Sequence, residues 1–297
     1  MAADAKQTVT TFQVNGNTSL VGVPQTNVMD TAYCLSKLNH RLYRQGRQYS
    51  VKIDAHQDSF GGSESIDVFA LMPTWYLRSA WRMAKRAYDG AVKEELEALN
   101  ASNIARWRDF RIGCGITALG TTDFLENGGL PPNMWGLTTV STNATLTPFT
   151  AGEYNLSYAH NLDTGVNMQW WLKGGDADHF GIFEEYSKSR NESASPETVI
   201  TDMPYEALLS EGEDADYEEV QANGNEPPYN GDSFPSHLWV RVGVLEKGTD
   251  LQRSSTGYFV APLGMVAFRP DQDSGTGGYV TVHVKEGNYL GVHAPEM

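Results

Sequence analysis

The sequence predicts a mainly β protein: an antiparallel β-sandwich or barrel of about eight strands, with one long helix inserted between the second and third. Three observations predict it. The chain of 297 residues is rich in aromatics (7 Trp, 14 Tyr, 11 Phe) and in glycine (29), a mixture that favours strands and tight turns. Short apolar stretches recur between turn signals. There is no βαβ alternation and no internal repeat.

The elements follow in order. Residues 1–32 read as an extended N-terminal arm, with a short strand at 8–14 and turns at NGNTS and VPQTN. Residues 33–47 carry Leu35, Leu38 and Leu42 near helical spacing, and Gly46 would end that helix. The first clear strand is 49–55, where apolar and polar residues alternate strictly, so one face is buried. The second, 66–72, is an apolar run and implies burial on both faces. Pro73 and Thr74 start the long helix, which runs to about residue 99. Leu77, Ala80, Trp81, Ala84, Tyr88 and Ala91 share its apolar face. Arg78, Arg82, Lys85, Arg86, Asp89 and Lys93 lie opposite.

Beyond the helix, 110–116 and 136–141 read as strands, and 153–160 with 166–173 as a hairpin. The segment 174–236 is an acidic loop insertion. Eleven Asp/Glu lie between Glu197 and Asp232, and no Lys or Arg occurs from Asn191 to Val240. Four strands close the chain: 237–245, 257–261, 264–269 and 279–285. Residues 33–297 are therefore expected to form a single domain. Cys34 and Cys114 lack CxxC spacing and read as small buried side chains in a reducing compartment. The N-terminus has no signal-peptide pattern, and no apolar run is long enough to span a membrane.

Charge is the most informative pattern. The net −15 divides into +4 over residues 33–111 and −18 over 112–297. The basic part holds Lys37, Arg41, Arg44 and Arg47, then Arg78, Arg82, Lys85 and Arg86, then Arg106, Arg108 and Arg111. Such a set gathers phosphates by charge without reading bases. Tyr43 and Trp107 lie among them and would offer faces for unpaired bases. The competing reading is internal ion pairing, for example with Asp54, Asp89 and Asp109. The acidic insertion argues against contact with nucleic acid or anionic lipid on its own side.

No GxSxG elbow, phosphate loop, dinucleotide fingerprint or HExxH motif is present, so no catalytic residues are assigned. Asp176, Asp178 and His179 form the best metal candidate, with calcium as the cation suited to the carboxylates; a polar turn is the plainer reading. Trp170 and Trp171 would point to opposite faces of a strand, one into the core and one outward.

The runs LNHRLYRQGRQYSVKI, IDVFALMPTWYLRSAWRMAKRAYD and ARWRDFRI resemble capsid proteins of environmental circular single-stranded DNA viruses. The resemblance covers 35–112. It implies a jelly-roll subunit of an icosahedral shell in a virion assembled inside a host cell. The partners it implies are other copies of the chain, the genome through non-specific phosphate contacts, and a host receptor. It implies no membrane and no cofactor beyond calcium at subunit contacts. One departure is that residues 1–32 hold a single Lys where an Arg-rich arm is common, so genome contact falls to the 37–111 basic set. Two other classes remain: a carbohydrate-binding β-sandwich, such as a phage tail or surface protein, and a glycan hydrolase using carboxylates of the acidic loop.

Overall fold

The structure, a computed structural model, describes residues 8–16, 27–56, 65–98, 109–113, 137–141, 157–160, 167–172, 179–191, 239–248, 253–270 and 279–297. The chain is mainly β, with antiparallel sheets. Its contacts group into two compact units, where the sequence had suggested one domain from residue 33. The larger comprises residues 1–73, 122–154 and 238–297; the smaller comprises 74–121 and 155–237.

The larger unit contains β1 (Thr11–Gly16), β2 (Asn27–Asp30), α1 (Thr31–Asn39), β3 (Gln48–His56), β4 (Ser65–Leu71) and β5 (Leu137–Ser141). It continues with β9 (Trp239–Glu246), β10 (Arg253–Pro262), β11 (Met265–Pro270), β12 (Tyr279–Val284) and the short pair β13 (Glu286–Gly287) and β14 (Gly291–Val292). One sheet runs β10-β3-β12-β1-β5 and the other β2-β11-β4-β9. The pairings are nested: β1 with β12, β2 with β11, β3 with β10 and β4 with β9, all antiparallel.

Alternation explains the shared core. Phe12, Val14, Val51, Ile53, Val280 and Val282 from the first sheet join Ile66, Val68, Leu245, Val266 and Phe268 from the second in one buried cluster. The first two strands are thus built into the sheets rather than forming an arm, and the 8–14 strand falls at 11–16. β2 escaped the sequence reading because Asn27–Asp30 is only four residues long and follows turn residues. α1 ends at Asn39, with His40 left-handed at φ 53°, well before Gly46. Its start is fixed by the Asp30 carboxylate, which accepts from the Tyr33 amide at 3.1 Å.

The smaller unit holds α2 (Trp75–Ala98), β6 (Tyr158–His160), β7 (Asn167–Trp171), β8 (His179–Gly181) and α3 (Ile182–Asn191). Thr74 caps α2, its hydroxyl accepting from the Leu77 amide at 3.1 Å. The six apolar positions read from the sequence are all buried. β6 and β7 pair antiparallel, as a hairpin requires, and β7 and β8 pair parallel. The unit's core is aromatic: Trp170 is fully buried with Tyr88, Phe110 and Phe180 rings 5.4–5.7 Å away. Of the strand expected at 110–116, the described part forms only a bridge from Gly113 to Trp171. Most of the acidic insertion, residues 192–236, lies outside the described residues.

Candidate basic surfaces

α2 carries the best-formed cationic row. Arg78, Arg82 and Arg86 are exposed and repeat every four residues. At 1.5 Å per residue they stand about 6 Å apart along the axis. Lys85 is half-buried and pairs with Asp89, one turn on. Lys93 pairs with Glu97 at 3.8 Å. Toward its C-terminal end the helix therefore offsets its lysines with carboxylates one turn on.

The earlier group lies in the larger unit. Lys37, Arg41 and Arg44 are exposed. Arg47 is taken up locally: it donates to the Glu296 carboxylate at 2.9 Å and to the Ala294 carbonyl at 2.9 Å, and lies 3.7 Å from the Tyr289 ring centre. Tyr43 is a correction. It is fully buried, donating to the Leu290 carbonyl at 2.8 Å, so its ring is closed to bases. Burial pushes its phenol pKa up, against the lowering effect of Arg41. Arg111 is likewise structural, buried and paired with Asp109 at 2.7 Å. Arg106, Arg108 and Trp107 lie outside the described residues. The cations thus belong to two units, and each group is a surface of its own unit.

The metal candidate falls mostly outside the described residues: Asp176 and Asp178 do, and of His179 only the backbone, in β8, is described. Among the described residues no group of three metal-ligating side chains occurs. Trp170 and Trp171 are both buried, so the outward-facing member expected of that pair is absent. Cys34 is buried; Cys114 lies outside the described residues. No helix among the described residues is long and apolar enough to cross a membrane.

Sequence reasoning missed a third cationic surface. It lies on the outward face of the five-stranded sheet, where β3, β10 and β12 run side by side. Core positions 49, 51, 53 and 55 of β3 leave Ser50, Lys52, Asp54 and His56 pointing outward. Register sets Lys52 opposite Tyr258 and His283, and His56 opposite Arg253. At the centre is Asp54, fully buried although it points away from the core. Its Oδ2 accepts from Lys52 Nζ at 3.1 Å, from His283 Nε2 at 2.6 Å and from the Arg253 guanidinium. Its Oδ1 has no hydrogen-bond partner among the described residues.

His283 also meets the Thr11 hydroxyl through Nδ1 at 3.1 Å. Burial lowers its pKa, as do the nearby Lys52, Arg253 and His56 charges. The Asp54 contact pulls the other way, yet burial together with the Lys52 and Arg253 charges outweighs one carboxylate. The ring is then neutral near pH 7, its Nε2 donating to Asp54 and its Nδ1 accepting from Thr11. No motif marks this cluster, since Arg253 and His283 lie 199 and 229 residues beyond Asp54 and meet it only through strand pairing.

No family model, no curated protein and no solved structure matches the chain.

Proposed function

We propose that the chain is a viral shell subunit, a non-enzymatic capsid protein whose larger unit is a jelly-roll β-sandwich. The single observation that carries this reading is the nested strand pairing. Counting β1, β2, β3, β4, β9, β10, β11 and β12 as one to eight, strand n pairs with strand nine minus n. One sheet then reads 6-3-8-1 and the other 2-7-4-5. This nesting supports a long hairpin rolled into two sheets, as in a jelly roll. The smaller unit enters between strands four and five, at the one turn joining consecutive strands of the same sheet.

The function follows from this scaffold together with the resemblance over 35–112. A shell subunit works by self-association through several surface patches and needs no cofactor. Exposed Leu42 and Trp75 supply apolar area to such patches. The Arg78, Arg82 and Arg86 row supports non-specific phosphate contact with a genome. In this reading the acidic composition of 174–236 suits a host receptor rather than the genome, and calcium at subunit contacts would draw on Asp176, Asp178 and His179. The virion, assembled inside a host cell, is the expected location.

Purified protein examined by sedimentation and negative-stain microscopy tests the proposal. Closed particles of uniform size are expected. A stable monomer or trimer that binds glycans would replace it with the carbohydrate-binding reading. Arg78→Ala, Arg82→Ala and Arg86→Ala combined should leave particles intact and lower the nucleic acid they retain, read from the 260/280 nm ratio. Unchanged retention would remove α2 from the genome contact.

A further inference from the structure

We infer that the outward face of the five-stranded sheet binds unpaired polynucleotide, with Tyr258 stacking on a base and Lys52, Arg253 and Lys285 holding phosphates. The site is separate from the α2 row and does not need a shell to act.

Four features carry it. First, the outward positions of β1, β3, β10 and β12 include one carboxylate, Asp54, and it is buried under Lys52 and Arg253 rather than displayed. Those two cations share its one charge, the neutral His283 ring donating beside them, and Lys285, two residues beyond His283, is exposed. The face keeps a positive surplus in a chain of net charge −15. Charges elsewhere are screened beyond about 8 Å at physiological salt, so the local surplus governs a bound polyanion. Second, the cations sit on a lattice set by strand geometry. Positions two apart on a strand are about 6.8 Å apart, and neighbouring strands about 4.8 Å, which suits a row of phosphates.

Third, Tyr258 is 56% exposed and lies opposite Lys52 across the β10–β3 pairing. Gly257 beside it has φ +73° and open space where a Cβ would stand. An exposed ring opposite a cation is a platform on which an unpaired base can stack. Fourth, Ser50, Ser255 and Thr281 add small hydroxyls at other outward positions, able to donate to phosphate oxygens.

The test is fluorescence anisotropy of a labelled 20-mer of deoxythymidine with unassembled full-length protein, across a salt series. Wild-type protein should bind, and bind a duplex of equal length more weakly. Tyr258→Ala should weaken binding by roughly 5- to 100-fold without changing the salt slope. Lys285→Ala should lower that slope by about 0.7. Wild-type affinity in both variants would overturn the inference. So would loss of binding confined to the combined Arg78, Arg82 and Arg86 variant, which would leave the shell proposal standing. If labelled polyglutamate binds in place of the oligonucleotide and is lost in Lys285→Ala, the face is a protein contact instead. Particle formation is read separately by microscopy, so failure here and failure of the shell reading are distinguishable.

Discussion

The two sheets of the larger unit share one core and differ on their other faces. Outward positions of β2, β4 and β11 in the four-stranded sheet include the apolar, buried Val28, Phe69, Leu71, Met265 and Ala267, each at most 1% exposed. Outward positions of the five-stranded sheet are polar, cationic or exposed. At one end of the apolar face Asp67 pairs with Arg269 at 3.0 Å, and the Arg269 guanidinium lies 5.2 Å from the Phe69 ring centre. At the centre of the polar face Asp54 is buried under Lys52, Arg253 and the His283 imidazole. The lesson is that one sheet is held on both faces by apolar packing, and the other presents a surface stabilised by a single electrostatic knot.

Phe69→Ala would test the packed face and should cost about 3–5 kcal/mol, since it empties a site enclosed on every side. Tyr258→Ala on the other sheet, an exposed position, should stay within about 0.5 kcal/mol. Chemical denaturation of both variants reads the difference. Equal costs would erase the contrast between the faces.

Asp54→Ala probes the knot and should cost roughly 1–3 kcal/mol. The figure is below that for a fully buried ion pair because the abandoned cations can turn to water: Arg253 keeps 46% of its side chain exposed. A neutral or stabilising result would mean that desolvating Asp54 offsets its contacts completely.

How far the sequence revealed this contrast depends on the strand. Strict alternation over 49–55 marked β3 as one-sided, and the mainly apolar run over 66–72 marked β4 as two-sided; the first is observed, and the second holds from Val68 to Leu71. The α2 faces were equally legible because a 3.6-residue period repeats over 24 residues. Clustering of cations was not legible. Arg47 and Arg111 sit in basic stretches yet are spent on Glu296 and Asp109. Lys52, Arg253 and His283 are scattered along the chain, and sheet register alone brings them together. Tyr43 misled for the same reason: a tyrosine among arginines suggests a surface, but long-range packing buries it.

The passage between the sheets offers a smaller test. Leu263 and Gly264 turn the chain from β10 to β11 with φ of 58° and 69°. A Cβ on Gly264 would lie 3.2 Å from the Ala32 amide nitrogen and from the Tyr49 ring. Gly264→Ala should cost about 1–2 kcal/mol through the left-handed backbone alone. A shift in thermal midpoint checks it, and no shift would mean that the turn relaxes without disturbing either sheet.

The finest test is pH. His283 is held below its usual pKa in the folded state by burial, with Lys52, Arg253 and His56 adding to the effect. Between that lowered value and the unfolded value of about 6.5, the unfolded chain binds more protons than the folded one, so stability rises with pH. The neutral ring's contribution is complete above the unfolded pKa and is lost as pH falls toward the folded one. Wild-type protein should therefore lose more stability between pH 7 and pH 5 than His283→Gln, which cannot titrate there. Denaturation midpoints of both proteins at the two pH values read the difference. If the variant lost more instead, the 2.6 Å contact with Asp54 would outweigh the surrounding cations, and the outward face would gain its proton as a stabilising charge.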